Sequence, residues 1–188
     1  MAHRRAFKYM IGGFLLVLID IHNFDILPDP IGYMMIASGI HQLGARQPNA
    51  LRAEITAYLL MALSIPTLFL SGQLLNPMQI NSTGWVAYGL SVTVTNLILI
   101  YFVFRMLIHE VDYPIETAEK PNRTRKLMIV YMAISLSSAF IQPFLIHMKQ
   151  GVQSSILVAT IVLTLAVHIA FIVHLRTLQK TFPVRDIQ

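Results

Sequence analysis

Residues 153–175 read QSSILVATIVLTLAVHIAFIVHL, 23 residues without an Asp, Glu, Lys or Arg. A helix rises about 1.5 Å per residue, so this run can cross a ~30 Å hydrocarbon core as one helix. Lipid offers no partners to backbone N–H and C=O groups, which makes a closed helix the natural state of such a run. Working outward, further apolar segments stand at roughly 7–21, 31–44, 55–75, 85–108 and 127–146. The expected architecture is all-α. Residues 1–188 form a single transmembrane domain, a polytopic integral membrane helical bundle of six segments in three hairpins.

The polar residues between the segments are sided. Of fourteen Lys and Arg, only Lys149 falls on one face. The other face collects Arg4, Arg5, Lys8, Arg46, Arg52, Arg105, Lys120, Arg123, Arg125, Lys126, Arg176, Lys180 and Arg185. Cytoplasmic loops concentrate basic residues, so the expectation is a multi-pass plasma-membrane protein with both termini cytoplasmic. The net charge of +5 is then a topology signal and an attraction to membrane lipid headgroups, not a mark of nucleic-acid binding. Composition agrees: 55% of residues are hydrophobic and 12% charged, against about 25% charged in soluble domains. The basic N-terminus and the apolar run after it lack a small-residue cleavage site and read as a retained anchor. The absence of cysteine removes disulfides, thiolate nucleophiles and Cys-ligated metals.

The first hairpin is unusual. Phe7 to Ile21 and Ile31 to Leu43 give only about 22 and 20 Å of helix. Their connector, His22-Asn23-Phe24-Asp25-Ile26-Leu27-Pro28-Asp29-Pro30, mixes acids with large apolar side chains. Either it dips into the outer leaflet, or the whole hairpin is re-entrant. Irregular backbone at that depth is tolerated where it is buried in protein or lines a watery cavity, and broken segments point to binding sites in small transporters. The stretch Asp25-Ile26-Leu27-Pro28-Asp29-Pro30-Ile31-Gly32-Tyr33 resembles the D-I-L-P-D-x-I-G-Y segment of small, uncharacterised multi-span membrane proteins of Gram-positive bacteria. The resemblance covers the first hairpin alone and implies a bacterial plasma membrane and a specified hairpin, with no activity attached. Asp20, His22, Asp25 and Asp29 also gather oxygen and imidazole donors within ten residues, suited to a cation. The competing account is local: Asp29 caps the second segment ahead of Pro30, and Asp25 bonds turn amides.

The later segments carry polar stripes at helical spacing. They are Ser64, Thr67 and Ser71; Ser91 and Thr95 with Asn96 beside them; Ser135, Ser138 and Gln142; and Thr160, Thr164 and His168. Each is expected to face the bundle interior, because lipid would not satisfy it. Small hydroxyl residues also serve ordinary helix packing. His168 stands out as the ionisable side chain deep in segment six, and Asn96 lies at a similar depth. Trp85, Tyr88, Tyr9, Tyr58, Tyr101 and Tyr131 read as aromatic belts at the two interfaces.

No catalytic motif appears. There is no H-E-x-x-H, no Gly-flanked serine with an obvious base, and no facing His pairs for haem; no enzyme, cofactor or resident metal is expected. The candidate ligand-binding residues are Asp20, Asp25, Asp29, Asn96, Gln142 and His168. They suit a protein that binds or transports a small solute or ion, alone or as a transporter subunit. The alternative is a membrane scaffold or regulator with a protein partner at the 109–126 cytoplasmic loop, which is acidic first and basic second and holds Pro114 and Pro121. Single cysteines at Gln47 and Ala118 are expected to resist an impermeant thiol reagent in intact cells. Rapid labelling of both would refute the cytoplasmic assignment.

Overall fold

The computed structural model describes residues 2–20, 29–44, 47–70, 83–109, 120–145 and 150–181. They form six helices: α1 (Ala2–Asp20), α2 (Asp29–Gly44), α3 (Pro48–Leu70), α4 (Thr83–His109), α5 (Lys120–Leu145) and α6 (Gln150–Thr181). The described structure is all-helical, as the apolar periodicity requires. Most helices run past their apolar cores. α1 takes in Arg4, Arg5 and Lys8, all exposed, because long basic side chains are good helix formers and need only reach water. α5 starts at Lys120 with Pro121 in its first turn, where proline's missing N–H costs nothing.

Three helices are long and apolar enough to cross a membrane: Ala87–His109, Asn122–Ile141 and Gly151–Lys180. The other three fall short among the described residues. α1 opens with three cations, α3 opens with Arg52 and Glu54, and α2 has 16 residues, about 24 Å.

Neighbours in sequence are neighbours in space, and α6 closes back onto α1. Each adjacent pair that can be checked runs antiparallel. Tyr131 and Thr124 of α5 meet His168 and His174 of α6 in reversed order. Phe14 and Arg4 of α1 likewise meet Phe171 and Gln179 of α6. The result is a closed ring with two ends. The basal end carries the start of α1 and the end of α6; the apical end carries the end of α1 and the start of α6.

α1 and α2 approach most closely. A Cβ on Gly13 would lie 2.5 Å from the Gly32 carbonyl oxygen, and one on Gly39 would lie 2.7 Å from that of Ala6. Only glycine permits this backbone contact. Dense packing is concentrated in the basal half, where Phe7, Met10, Ile40, Phe104, Phe171 and Leu175 are fully buried. Phe171 touches Phe14 at 5.1 Å, Phe104 at 4.9 Å and Tyr131 at 5.8 Å between centroids. These rings make an aromatic layer across the ring of helices.

The outward surface is apolar. Phe140 is 72% exposed, Val158 60% and Ile55 58%. Patches of this extent are hostile to water and match lipid tails.

In α3 the helix continues through Pro66, which frees a backbone carbonyl one turn back. The Tyr88 hydroxyl donates to the neighbouring Leu63 carbonyl. Half-buried Tyr88 is therefore engaged with protein, not only with an interface.

Gly13→Val is expected to lower the melting temperature in detergent by forcing α1 and α2 apart, at about 1–3 kcal/mol. Gly89→Ala, where an added Cβ meets nothing within 4 Å, is expected to be neutral or slightly stabilising. Equal effects would refute the close-contact account.

Candidate functional site

Above the aromatic layer the ring is hollow. A cavity of about 380 Å³ lies in the apical half, walled by five helices. α1 contributes Val17 and Leu18, and α2 contributes Asp29 and Tyr33. From α4 come Val92, Thr93, Asn96 and Leu97; from α5, Tyr131, Ser135, Ser138 and Ala139. The α6 face runs from Leu157 through Thr160 and Thr164 to His168. Polar groups converging on an otherwise apolar concavity are the usual form of a small-molecule site.

The antiparallel α5–α6 contact sets the polar geometry. Ser138 Oγ and Thr164 Oγ1 are 3.3 Å apart. One turn deeper, His168 Nδ1 lies 2.9 Å from the Thr164 carbonyl oxygen, and Nε2 lies 2.7 Å from the Tyr131 hydroxyl. A carbonyl only accepts, so Nδ1 carries the proton and donates it. In the neutral ring Nε2 then accepts from the Tyr131 O–H. Both nitrogens are satisfied in one tautomer without a charge. Tyr131, 1% exposed, is fixed by this bond and by the rings of Phe104 and Phe171. Ser135 lies one turn along α5 from Tyr131. Its Oγ is buried and has no hydrogen-bond partner among the described residues. A buried hydroxyl left so is costly and marks a place where a further polar group fits.

Of the candidates read from the sequence, the structure gathers Asp29, Asn96 and His168 around one cavity. Asp20 ends α1 and Gln142 lies in α5, but their side chains, like Asp25 as a whole, lie outside the described residues. The same holds for His22, and among the described residues no group of three or more His, Cys, Asp or Glu could hold a metal. The α5 and α6 stripes do face each other through Ser135, Ser138, Thr160, Thr164 and His168.

Two expectations need correction. Tyr131 is not part of an interfacial belt; it is buried core and the hydrogen-bond partner of His168. Extending the Ser135–Ser138 stripe back by one turn reaches it, and that i, i+4 relation was the available signal. Ser91 and Thr95 do not line the cavity, and Ser91 is exposed. Each donates to the carbonyl four residues back, Ala87 and Ser91 respectively. A hydroxyl satisfied by its own helix has no need to face inward. Thr93 lines the wall instead, although its hydroxyl likewise donates four residues back, to the Gly89 carbonyl.

No protein-family model, curated protein or solved structure matches the chain. The site is therefore read from its own geometry.

Tyr131→Phe leaves His168 Nε2 unpaired, and His168→Ala leaves the Tyr131 hydroxyl unpaired. Each is expected to cost about 1–3 kcal/mol. The double variant is expected to lose about 1 kcal/mol less than the sum, read from unfolding in detergent. Strict additivity would mean the two side chains do not interact.

Proposed function

We propose that this chain is a plasma-membrane protein that binds or moves a small solute or ion through its apical cavity, alone or as a transporter subunit. The observation that carries this reading is the convergence of Asp29, Asn96, Ser135 and His168, from four helices, on one cavity above a closed aromatic layer. A scaffold needs no such hollow, and filling it with apolar side chains would hold the ring together better.

In this reading all six helices span. Among the described residues α1, α2 and α3 are not long and apolar enough to cross a membrane alone, yet they carry the same outward apolar surface: Leu15, Ile31, Met34, Ile55 and Leu59 are exposed. Exposed Arg52 and Arg105 sit at the basal end beside Phe102 and Tyr101, a placement that suits headgroup depth. The basic bias assigns the basal end and both termini to the cytoplasm, so the cavity opens in the outer half. The Asp25–Tyr33 resemblance points to a bacterial membrane. Solute sites near mid-membrane, at interrupted helices, are characteristic of small transporters. The rival, a scaffold acting through the 109–126 connection, differs in what it retains.

Untargeted native mass spectrometry of the purified full-length protein is expected to find a small molecule retained by wild type and lost in Ala139→Phe, which fills the cavity. Recovery of lipid only, identical in both proteins, would overturn the binding reading and favour the scaffold.

A further inference from the structure

We propose that the outer groove between α1 and α6 holds an anionic phospholipid, with its phosphate at the basal end and its acyl chains running along the two helices toward mid-membrane. The inference rests on the membrane placement argued above and is independent of what the cavity binds.

Two contacts fix how the first and last helices face each other. At the basal end the Gln179 side chain donates to the Arg4 carbonyl, and farther up Phe14 meets Phe171 with ring centroids 5.1 Å apart. In this antiparallel register Lys180 stands across from Arg4, and Arg176 across from Lys8. Further along, Val173 stands across from Ile11 and Ile169 across from Leu15. The four positions on each helix are spaced four, three and four residues apart, so each set forms one stripe. On α6, Arg176 lies one turn from Gln179, on the flank that reaches α1, whereas His174 reaches α5 through Thr124. The groove therefore begins with two rungs of cations and continues with two rungs of aliphatic side chains.

That order is the order of a phospholipid. Arg4, Lys8, Arg176 and Lys180 are exposed, and none forms an ion pair among the described residues. The sequence beyond α6 adds one base, Arg185, and one acid, Asp186, which leaves the basic excess unchanged. A phosphodiester placed between the cationic rungs accepts charge-assisted hydrogen bonds from both helices. A zwitterionic headgroup would bring its own ammonium against the same four cations, so a net anionic headgroup is favoured. Above, Leu15, Ile169 and Val173 are exposed, while Phe14, Phe171 and Leu175 close the bundle beneath them. The glycines of α1 do not narrow this groove: a Cβ on Gly12 or Gly13 would meet Met35, Gly32 or Ile36 of α2. Full-sized aromatic side chains hold α1 and α6 apart and leave a furrow that an alkyl chain can follow.

The test uses the full-length protein, stripped of lipid in detergent and titrated with phosphatidylglycerol or phosphatidylcholine. Bound lipid is read by native mass spectrometry. Wild type is expected to retain one phosphatidylglycerol in preference to phosphatidylcholine. Lys8→Gln combined with Arg176→Gln is expected to weaken that binding on the order of 30-fold, for two charges lost at the surface. The charge-keeping pair, Lys8→Arg with Arg176→Lys, is expected to retain it. Arg123→Gln with Arg125→Gln removes the same charge from exposed positions on α5 and is expected to leave binding within about twofold, being outside the groove. Equal losses in the two Gln pairs would reduce the effect to a general attraction of the basic end and overturn the site. Equal retention of both lipids by wild type would overturn it as well. A protein that stays dispersed in buffer without detergent and binds neither lipid would overturn the membrane placement beneath the proposal.

Discussion

The Phe171 ring touches rings from α1, α4 and α5 at centroid distances of 4.9 to 5.8 Å. A helix ring of six has a space along its axis that side chains must either fill or leave open, and this cluster fills it at one level. Around it Ala53, Ala57, Leu60, Met106 and Leu178 are likewise buried to 0% exposure. Above it the interior stays open. Tyr131 belongs to both halves, since its ring packs on Phe104 and Phe171 while its hydroxyl reaches His168. The polar site is thus held by the same residue that seals the core, and its geometry is as rigid as that core.

The close contact of α1 with α2 follows a different logic. In lipid, helices gain no hydrophobic energy from associating, so backbone approach and dispersion must supply it. Gly13, Gly32 and Gly39 let the two shortest helices meet backbone to backbone. That pairing brings Val17, Leu18, Asp29 and Tyr33 together at the apical end. Together the two helices become one wall of the cavity.

Much of this was legible in residue order. The six elements, their approximate limits and the facing Ser135, Ser138, Thr164 and His168 follow from apolar run length and helical periodicity. Three things did not. Tyr131 looked interfacial, because an aromatic near a helix end has the same local pattern whether it points to lipid or to core. Ser91 and Thr95 looked inward-facing, because periodicity records polarity and not that a hydroxyl bonded to its own helix can face either way. The Gly13–Gly32 contact joins residues on different helices, and no window along the chain contains both partners. Local spacing identifies which residues share a face; which face meets which is settled by packing.

The ring has a further property. The Gln179 side chain donates to the Arg4 carbonyl at 3.1 Å, so the last helix lies against the first, as every other helix lies against its successor. In such an arrangement the chain's starting point is arbitrary with respect to the architecture. A circular permutant, with a linker joining the ends of α6 and α1 and new termini opened between α4 and α5, would keep each neighbour relation while reordering the synthesis of the helices. The glycine-dependent pair would then emerge after α5 and α6 instead of first. The bundle's topology is cyclic, and only the order of its making is linear.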